Sequence, residues 1–214
     1  MFKLYSYFRS SASYRVRIAL NLKGLPYEVI PVHLLRDGGD QHQPHFIDNN
    51  PARLVPVLEH GPLKLTQSVA IIEFLDDVQP APPLLPREPL ARAQVRAFAL
   101  DIACEVHPLN NLRVLQYLKT TFALDEAARA KWSYEWIDRG FMAIESKLSS
   151  KRAEAFCFGN VPTLADCCLV PQVFNALRIN FRLERYASIK RVYENCMGTE
   201  AFQNAAPGCQ IDAE

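Results

Sequence analysis

The stretch Gln79-Pro80-Ala81-Pro82-Pro83-Leu84-Leu85-Pro86 limits the possible folds more than any other in the chain. Prolines this dense end any helix and cannot run through a central strand. The chain therefore divides there. Before the stretch, short apolar runs alternate with helical patterns. After Glu88 the strand patterns vanish and only helical periodicity remains. The layout predicts an α/β domain over residues 1–80, a proline-rich linker over 81–87 and an all-helical domain over 88–214. A length of 214 residues suits one large or two modest domains.

In the first region, residues 2–6 read as a strand and 11–23 as a helix that Gly24 stops. Residues 27–32 alternate enough for a second strand. So short a crossover implies parallel, right-handed pairing. A polar loop over 36–43 follows, then the apolar run 54–59, a turn at His60-Gly61-Pro62, and a hairpin strand at 63–65. A helix from Val69 to Val78 closes the order β-α-β-(α)-β-β-α. Pro56 inside an apolar strand belongs at an edge or a bulge; its bond is cis or trans, and the sequence leaves both open.

Two helix starts in this region carry hydroxyls: Arg9-Ser10-Ser11 and Thr66-Gln67-Ser68. A helix start holds unpaired N–H donors and a positive dipole end, which suits an anion. The same serines also suit plain N-caps. In the second region, helices are expected at about 90–119, 125–148, 164–178 and 189–196, the first kinked near Pro108. Thr163 to Asp166 has capping-box spacing. The tail after Ala206 is small and polar, which predicts a frayed or surface position.

Composition narrows the function. Hydrophobic residues are 49% and charged residues 22%, an ordinary globular balance. A net charge of +1 gives no electrostatic case for nucleic acid or an anionic membrane. No apolar run approaches the roughly 20 residues of a membrane span, and the start MFKLYSYF lacks a secretory signal pattern. The six cysteines have no C-x-x-C spacing and the histidines do not pair with them, so free buried thiols, no metal and a cytoplasmic setting are expected.

The run Arg9-Ser10-Ser11-Ala12-Ser13-Tyr14-Arg15-Val16-Arg17-Ile18-Ala19-Leu20 resembles RSSCxWRVRIAL, the signature of zeta-class glutathione transferases. The likeness continues through Asn50-Pro51, Leu54-Val55-Pro56, Gln67-Ser68, His107 to Arg113, Leu164 to Asp166 and Leu169 to Val173. It covers nearly the whole chain and points to the maleylacetoacetate and maleylpyruvate isomerase group. Three departures stand out: Ala12 for the cysteine, Tyr14 for the tryptophan, and Phe181 to Ser188 for a DLTPYPT-like stretch.

The resemblance implies the glutathione transferase fold, α/β plus all-α, with a thioredoxin-like N-terminal domain followed by a C-terminal helical bundle. It implies glutathione as cofactor, a small dicarboxylic keto-acid as substrate, and a homodimer. The implied reaction turns maleylacetoacetate into fumarylacetoacetate by thiolate addition, bond rotation and elimination, in tyrosine and phenylalanine catabolism. The alternatives are maleylpyruvate isomerisation in gentisate catabolism, or transfer of glutathione to small α-halo acids. A binding protein on the same scaffold is the non-enzyme alternative. Residue by residue, Ser10 takes the thiolate, with Ser11 as the adjacent candidate. Gln67 and Ser68 match the γ-glutamyl carboxylate site, and Val55 matches the main-chain contact to the cysteinyl part. Gln41 and His107 match contacts to the tripeptide, and His107 equally suits a helix-buried histidine bonded to a carbonyl. Asn111 and Arg113 match a segment that reaches a ligand across a dimer. Arg9 and Arg178 match a carboxylate clamp, since guanidinium binds carboxylate bidentately. Arg15 and Arg17 read as solvated helix-face arginines.

Overall fold

The computed structural model describes residues 1–150 and 153–214. In chain order the elements are β1 (Phe2–Ser6), α1 (Ser11–Leu22), β2 (Tyr27–Pro31), α2 (Pro44–Ile47), β3 (Val57–His60), β4 (Leu63–Thr66), α3 (Ser68–Val78) and α4 (Pro89–Leu100). A π-helical stretch, Asp101–Val106, and a short 3₁₀ turn, Pro108–Asn110, follow. The chain ends with α5 (Leu112–Thr121), α6 (Glu126–Ser149), α7 (Leu164–Leu177), α8 (Ala187–Met197) and α9 (Glu200–Ala205).

The chain forms two compact units. Met1–Leu85 with Met197–Glu214 makes the first, and Pro86–Cys196 the second. The first is thioredoxin-like, with a four-stranded sheet in the order β2-β1-β3-β4. β1 and β2 pair in parallel, as the short crossover requires, with Leu4 opposite Val29. β3 lies antiparallel to both β1 and β4. Leu4, Ile18, Leu20, Leu58, Ile71, Ile72 and Leu75 are fully buried among the sheet, α1 and α3. Each such side chain contributes about 1.5–3 kcal/mol by leaving water.

Three features of this unit differ from the sequence reading. First, the tail after Ala206 runs over the surface, one of the two positions expected, and is tied down there rather than frayed; ahead of it stands α9, a helix the sequence reading did not give. Phe202 and Ala205 are buried against α1, and Asp212 accepts a hydrogen bond from the Phe8 N–H at 2.9 Å. The last residues therefore join the first unit rather than the helical one. Second, Arg15 and Arg17 are buried on different sides of α1: Arg17 lies under α9 and donates to the Ala205 carbonyl, and Arg15 lies against the start of α3 and donates to Ser68. Third, part of the expected linker belongs to the unit's core. The fully buried Lys23 ammonium pairs with Asp76 and donates to the carbonyls of Gln79 at 2.7 Å and Pro82 at 2.5 Å. Asp76 also accepts the N–H groups of Leu84 and Leu85, both buried. A buried ion pair is tolerable because all three ammonium protons are donated and both Asp76 oxygens accept.

The second unit is all helical. The single kinked helix expected over 90–119 is instead α4, the π stretch, the 3₁₀ turn and α5. Pro108 has no N–H to donate, and the turn ahead of it widens so that the His107 N–H reaches the Ile102 carbonyl at 2.9 Å. The capping box at the start of α7 is present: Asp166 accepts the Thr163 N–H at 2.8 Å, and the Cys157 N–H at 2.8 Å as well. The departing segment after Arg178 is packed, with Phe181 and Tyr186 buried against Phe141. Glu145 accepts the first N–H groups of α8 from Ser188 and Ile189. Of the cysteines, Cys104 and Cys209 are exposed rather than buried, and all six are free thiols.

Candidate active site

β1 delivers the chain into a tight turn, closed by the Ser10 N–H on the Tyr7 carbonyl at 2.9 Å. Ser10 is the N-cap of α1, with extended backbone, and its Oγ accepts the Ser13 N–H at 3.2 Å. The cap uses one lone pair. A hydroxyl keeps its single proton for another acceptor, so capping leaves Ser10 able to donate to an anion. Ser10 is half-buried, whereas Ser11 is buried in the first turn. Ala12 is half-buried and carries no thiol. Tyr14, in the tryptophan position, is buried and donates its hydroxyl to the Phe202 carbonyl at 3.4 Å.

Arg9 is half-buried beside Ser10. Its Nε and Nη2 donate to the Tyr7 hydroxyl at 3.3 and 2.9 Å, and its guanidinium lies 5.0 Å from the Phe8 ring centre. A guanidinium held on aromatic rings keeps its charge and loses less entropy on meeting a carboxylate.

The second hydroxyl-bearing helix start is built differently. Gln67, the N-cap of α3, has φ +69° and makes no side-chain cap hydrogen bond. That backbone region costs a non-glycine residue on the order of 1–3 kcal/mol. Ser68 is buried, and the Arg15 Nη1 donates to its Oγ at 3.2 Å. Arg15 stands one turn into α1, so this bond ties the start of α3 to the start of α1. The two helix starts named from sequence are thus on neighbouring elements of one unit.

Val55 precedes Pro56 through a cis peptide bond and sits in a buried cluster with Tyr7, Phe8, Val32, Phe46 and Val57. Gln41 is buried; its Nε2 donates to the Leu34 carbonyl at 3.2 Å, and its Oε1 accepts no hydrogen bond from the described residues. The first unit therefore carries Arg9, Ser10, Ser11, Gln41, Val55, Gln67 and Ser68. The remaining candidates stand on the second unit. His107 follows the π stretch, half-buried. Asn111 is the N-cap of α5 and accepts the Arg113 N–H at 3.1 Å; Arg113 itself is exposed. Arg178 is the exposed C-cap of α7, with its Nη1 3.5 Å from the Asn175 Oδ1.

The sequence reading missed the groups behind the site. Arg17 is fully buried and donates to the carbonyls of Ala205 and Phe8, each at 2.9 Å, and to Ser6 Oγ at 3.0 Å. Burial pulls its guanidinium down to about 10, still charged at neutral pH. The available signal was the pairing of Arg15 and Arg17 with apolar residues on both sides. The chain's own buried thiols are poor nucleophiles: burial pushes both Cys157 and Cys196 up. Among the described residues no cluster of His, Cys, Asp and Glu suits a metal ion, and no helix is long and apolar enough to cross a membrane.

Comparison with known proteins gives the family. The model of the glutathione S-transferase N-terminal domain matches residues 1–77. A probable maleylacetoacetate isomerase of Vibrio cholerae is 49% identical, over 98% of this chain and 97% of that protein. A solved holo maleyl pyruvate isomerase, described as a bacterial glutathione S-transferase of zeta class, has a TM-score of 0.96. It is 46% identical, over 99% of this chain and 100% of that one. A maleylacetoacetate isomerase from Methylobacterium extorquens AM1, solved with malonate and GSH bound, has a TM-score of 0.94 at 36% identity, over 99% of each chain. The chain thus belongs to the glutathione transferase family, in the zeta-class group of maleylacetoacetate and maleylpyruvate isomerases.

Proposed function

We propose that this chain is a glutathione-dependent cis–trans isomerase that converts maleylacetoacetate to fumarylacetoacetate in tyrosine and phenylalanine breakdown. The observation that carries the reading is the half-buried Ser10 hydroxyl at the start of α1, with the Arg9 guanidinium fixed next to it. The residues fit glutathione on two further grounds. The Gln41 Oε1 is a buried acceptor without a donor among the described residues. Gln67 is held at φ +69°, a costly conformation of the kind that clusters at ligand sites.

In this reading Ser10 donates to the thiolate sulfur, and Ser11 backs it from the first turn. The dipole of α1 and the Ser10 proton both favour the charged sulfur, whose thiol otherwise titrates near 8.5. Gln67 and Ser68 hold the γ-glutamyl carboxylate at the start of α3. The Val55 main chain pairs with the cysteinyl part, and Gln41 and His107 touch the tripeptide. Asn111 and Arg113 reach the ligand of a second subunit in a homodimer. Bound glutathione supplies the sulfur that adds to the alkene and leaves again. Arg9 and Arg178 bind the substrate carboxylates and hold the alkene in register, which is where proximity lowers the barrier. The reading places the enzyme in the cytoplasm.

A second substrate, maleylpyruvate, is favoured by the 0.96 TM-score to a protein named for it. One assay separates the readings. Each cis substrate is mixed with the protein, with and without glutathione. Loss of the cis isomer that needs glutathione and does not consume it supports isomerisation, and the larger kcat/KM names the substrate. Ser10→Ala lowers kcat about 10²-fold while the protein stays folded. Equal rates without glutathione would sink the mechanism; net consumption of glutathione would point to the transferase alternative.

A further inference from the structure

The turn that carries Arg9 and Ser10 is held by residues from the far end of the chain. Phe8 immediately precedes Arg9, and both its main-chain polar groups are engaged. Its N–H donates to Asp212 Oδ2 at 2.9 Å, and its carbonyl accepts from Arg17 Nη2 at 2.9 Å. Arg17 also reaches the Tyr7 carbonyl at 3.4 Å, and its Nε is anchored on the Ala205 carbonyl at 2.9 Å. Tyr7 in turn carries Arg9 on its hydroxyl. Its ring packs edge-on against His33, whose Nε2 lies 3.3 Å from Glu214 Oε1. The C-terminal segment therefore touches the turn from three sides: directly at Phe8, through Arg17, and through His33.

We propose that Asp212 is a positioning residue for the thiolate site: its carboxylate, through the Phe8 N–H, sets the turn Tyr7–Ser10 that aims Arg9 and the Ser10 hydroxyl. The inference rests on the role assigned to Ser10 above. Asp212 suits the task because it meets a main-chain N–H, so the bond fixes the backbone rather than one rotamer. Its second oxygen, Oδ1, is buried and takes no hydrogen bond from the described residues. That spare acceptor has no structural use in the tail. The carboxylate is also close enough to favour the charge on Arg17. A tail that only covered α1 would need the apolar contacts of Phe202 and Ala205, and no ion at position 212.

The test compares Asp212→Ala and Asp212→Asn with the wild type, all full length. Asn keeps an oxygen that can accept the Phe8 N–H; Ala does not. An ultraviolet titration of the thiolate in the glutathione complex, without substrate, reads the site directly. In Asp212→Ala the bound thiol titrates about one unit closer to its free value. Turnover falls about 10-fold, mainly in kcat, since a small misplacement is costly to a positioned reaction. Asp212→Asn stays within about twofold of wild type in both. Amide hydrogen exchange over residues 7–11 is faster in Asp212→Ala and normal in Asp212→Asn. If Asp212→Ala leaves the thiol titration, kcat and the exchange unchanged and shifts only the melting temperature, Asp212 merely anchors the tail. If the wild type binds no glutathione or turns over neither cis acid, the functional reading fails, and the exchange of residues 7–11 decides the positioning by itself.

Discussion

At the scale of single residues, the same side chain repeatedly serves structure and chemistry at once. Ser10 caps α1 with a lone pair and keeps its proton, so the cap leaves the proposed donation to an anion open to the same hydroxyl. Gln67 is the opposite case, where structure and chemistry pull apart. Its φ of +69° suits glycine, and the chain keeps a glutamine there. Gln67→Gly is therefore expected to unfold at no lower a urea midpoint than wild type. Gln67→Ala, which keeps a Cβ in the same conformation, lies about 1 kcal/mol below Gln67→Gly. Both raise the dissociation constant for glutathione about 10-fold or more, measured by calorimetry, by removing the amide. Equal stability of the two variants would show that the backbone strain is absent. Unchanged binding would remove Gln67 from the cofactor site.

At the scale of elements, proline and glycine decide what helical periodicity cannot. The apolar pattern over 90–119 is continuous, yet Pro108 forces the π stretch Asp101–Val106 ahead of it. That widened turn presses Val106 against α6, where Gly140 leaves the room. A Cβ at Gly140 would sit 2.2 Å from the Val106 Cγ2. Glycine inside a helix costs about 1 kcal/mol against alanine, so space, rather than propensity, explains it. Gly140→Ala is expected to lose about 1–3 kcal/mol by overpacking. In a Val106→Ala background the same change becomes neutral or stabilising, because the clash is gone and only propensity remains. Urea denaturation of the four proteins closes this cycle. A Gly140→Ala cost that is the same in both backgrounds would break the link between the two residues.

At the scale of the whole molecule, stability depends on pH through carboxyls shifted in opposite directions. Asp166 is buried, and desolvation raises its carboxyl in spite of the hydrogen bonds from Cys157 and Thr163. Glu59 is lowered, first by the Tyr5 hydroxyl, and Glu88 by the backbone N–H groups of Ala91 and Leu90. The Asp166 contribution is complete below the unfolded value near 4 and is lost as pH rises through the raised one. The contributions of Glu59 and Glu88 run the other way: present above about 4.3 and lost as pH falls. Comparing wild type with Asp166→Asn cancels the two glutamates. The wild-type advantage is thus expected to shrink as pH rises above about 4, read as the difference in urea midpoints across the acid-to-neutral range. A difference that is flat across that range would mean that Asp166 does not titrate with a raised value. The buried Cys157 and Cys196 thiols facing Asp166 stay protonated throughout, since burial pushes both up.

The sequence by itself determined the order of strands and helices before the proline run, the capping box at Thr163 and Asp166, and the family, because each is written in local spacing or in a contiguous motif. It also marked Arg9-Ser10-Ser11 as a helix start that suits a cap or an anion, since a helix start is a local event. Tertiary structure alone decided the fate of Arg15, Arg17, Lys23 and the tail. An arginine on a helix face meets solvent unless another element covers that face; here the start of α3 covers Arg15, and Arg17 lies under a six-residue helix 180 residues or more away in sequence. The partners of Arg17 are mostly main-chain carbonyls, which every residue has and no sequence pattern marks. The cis bond before Pro56 and the positive φ of Gln67 are likewise fixed by the surrounding packing, not by the residue types. Local spacing marked the helix start at Ser10, and the contiguous motif proposed a thiolate for it; long-range contacts fixed the turn that carries it.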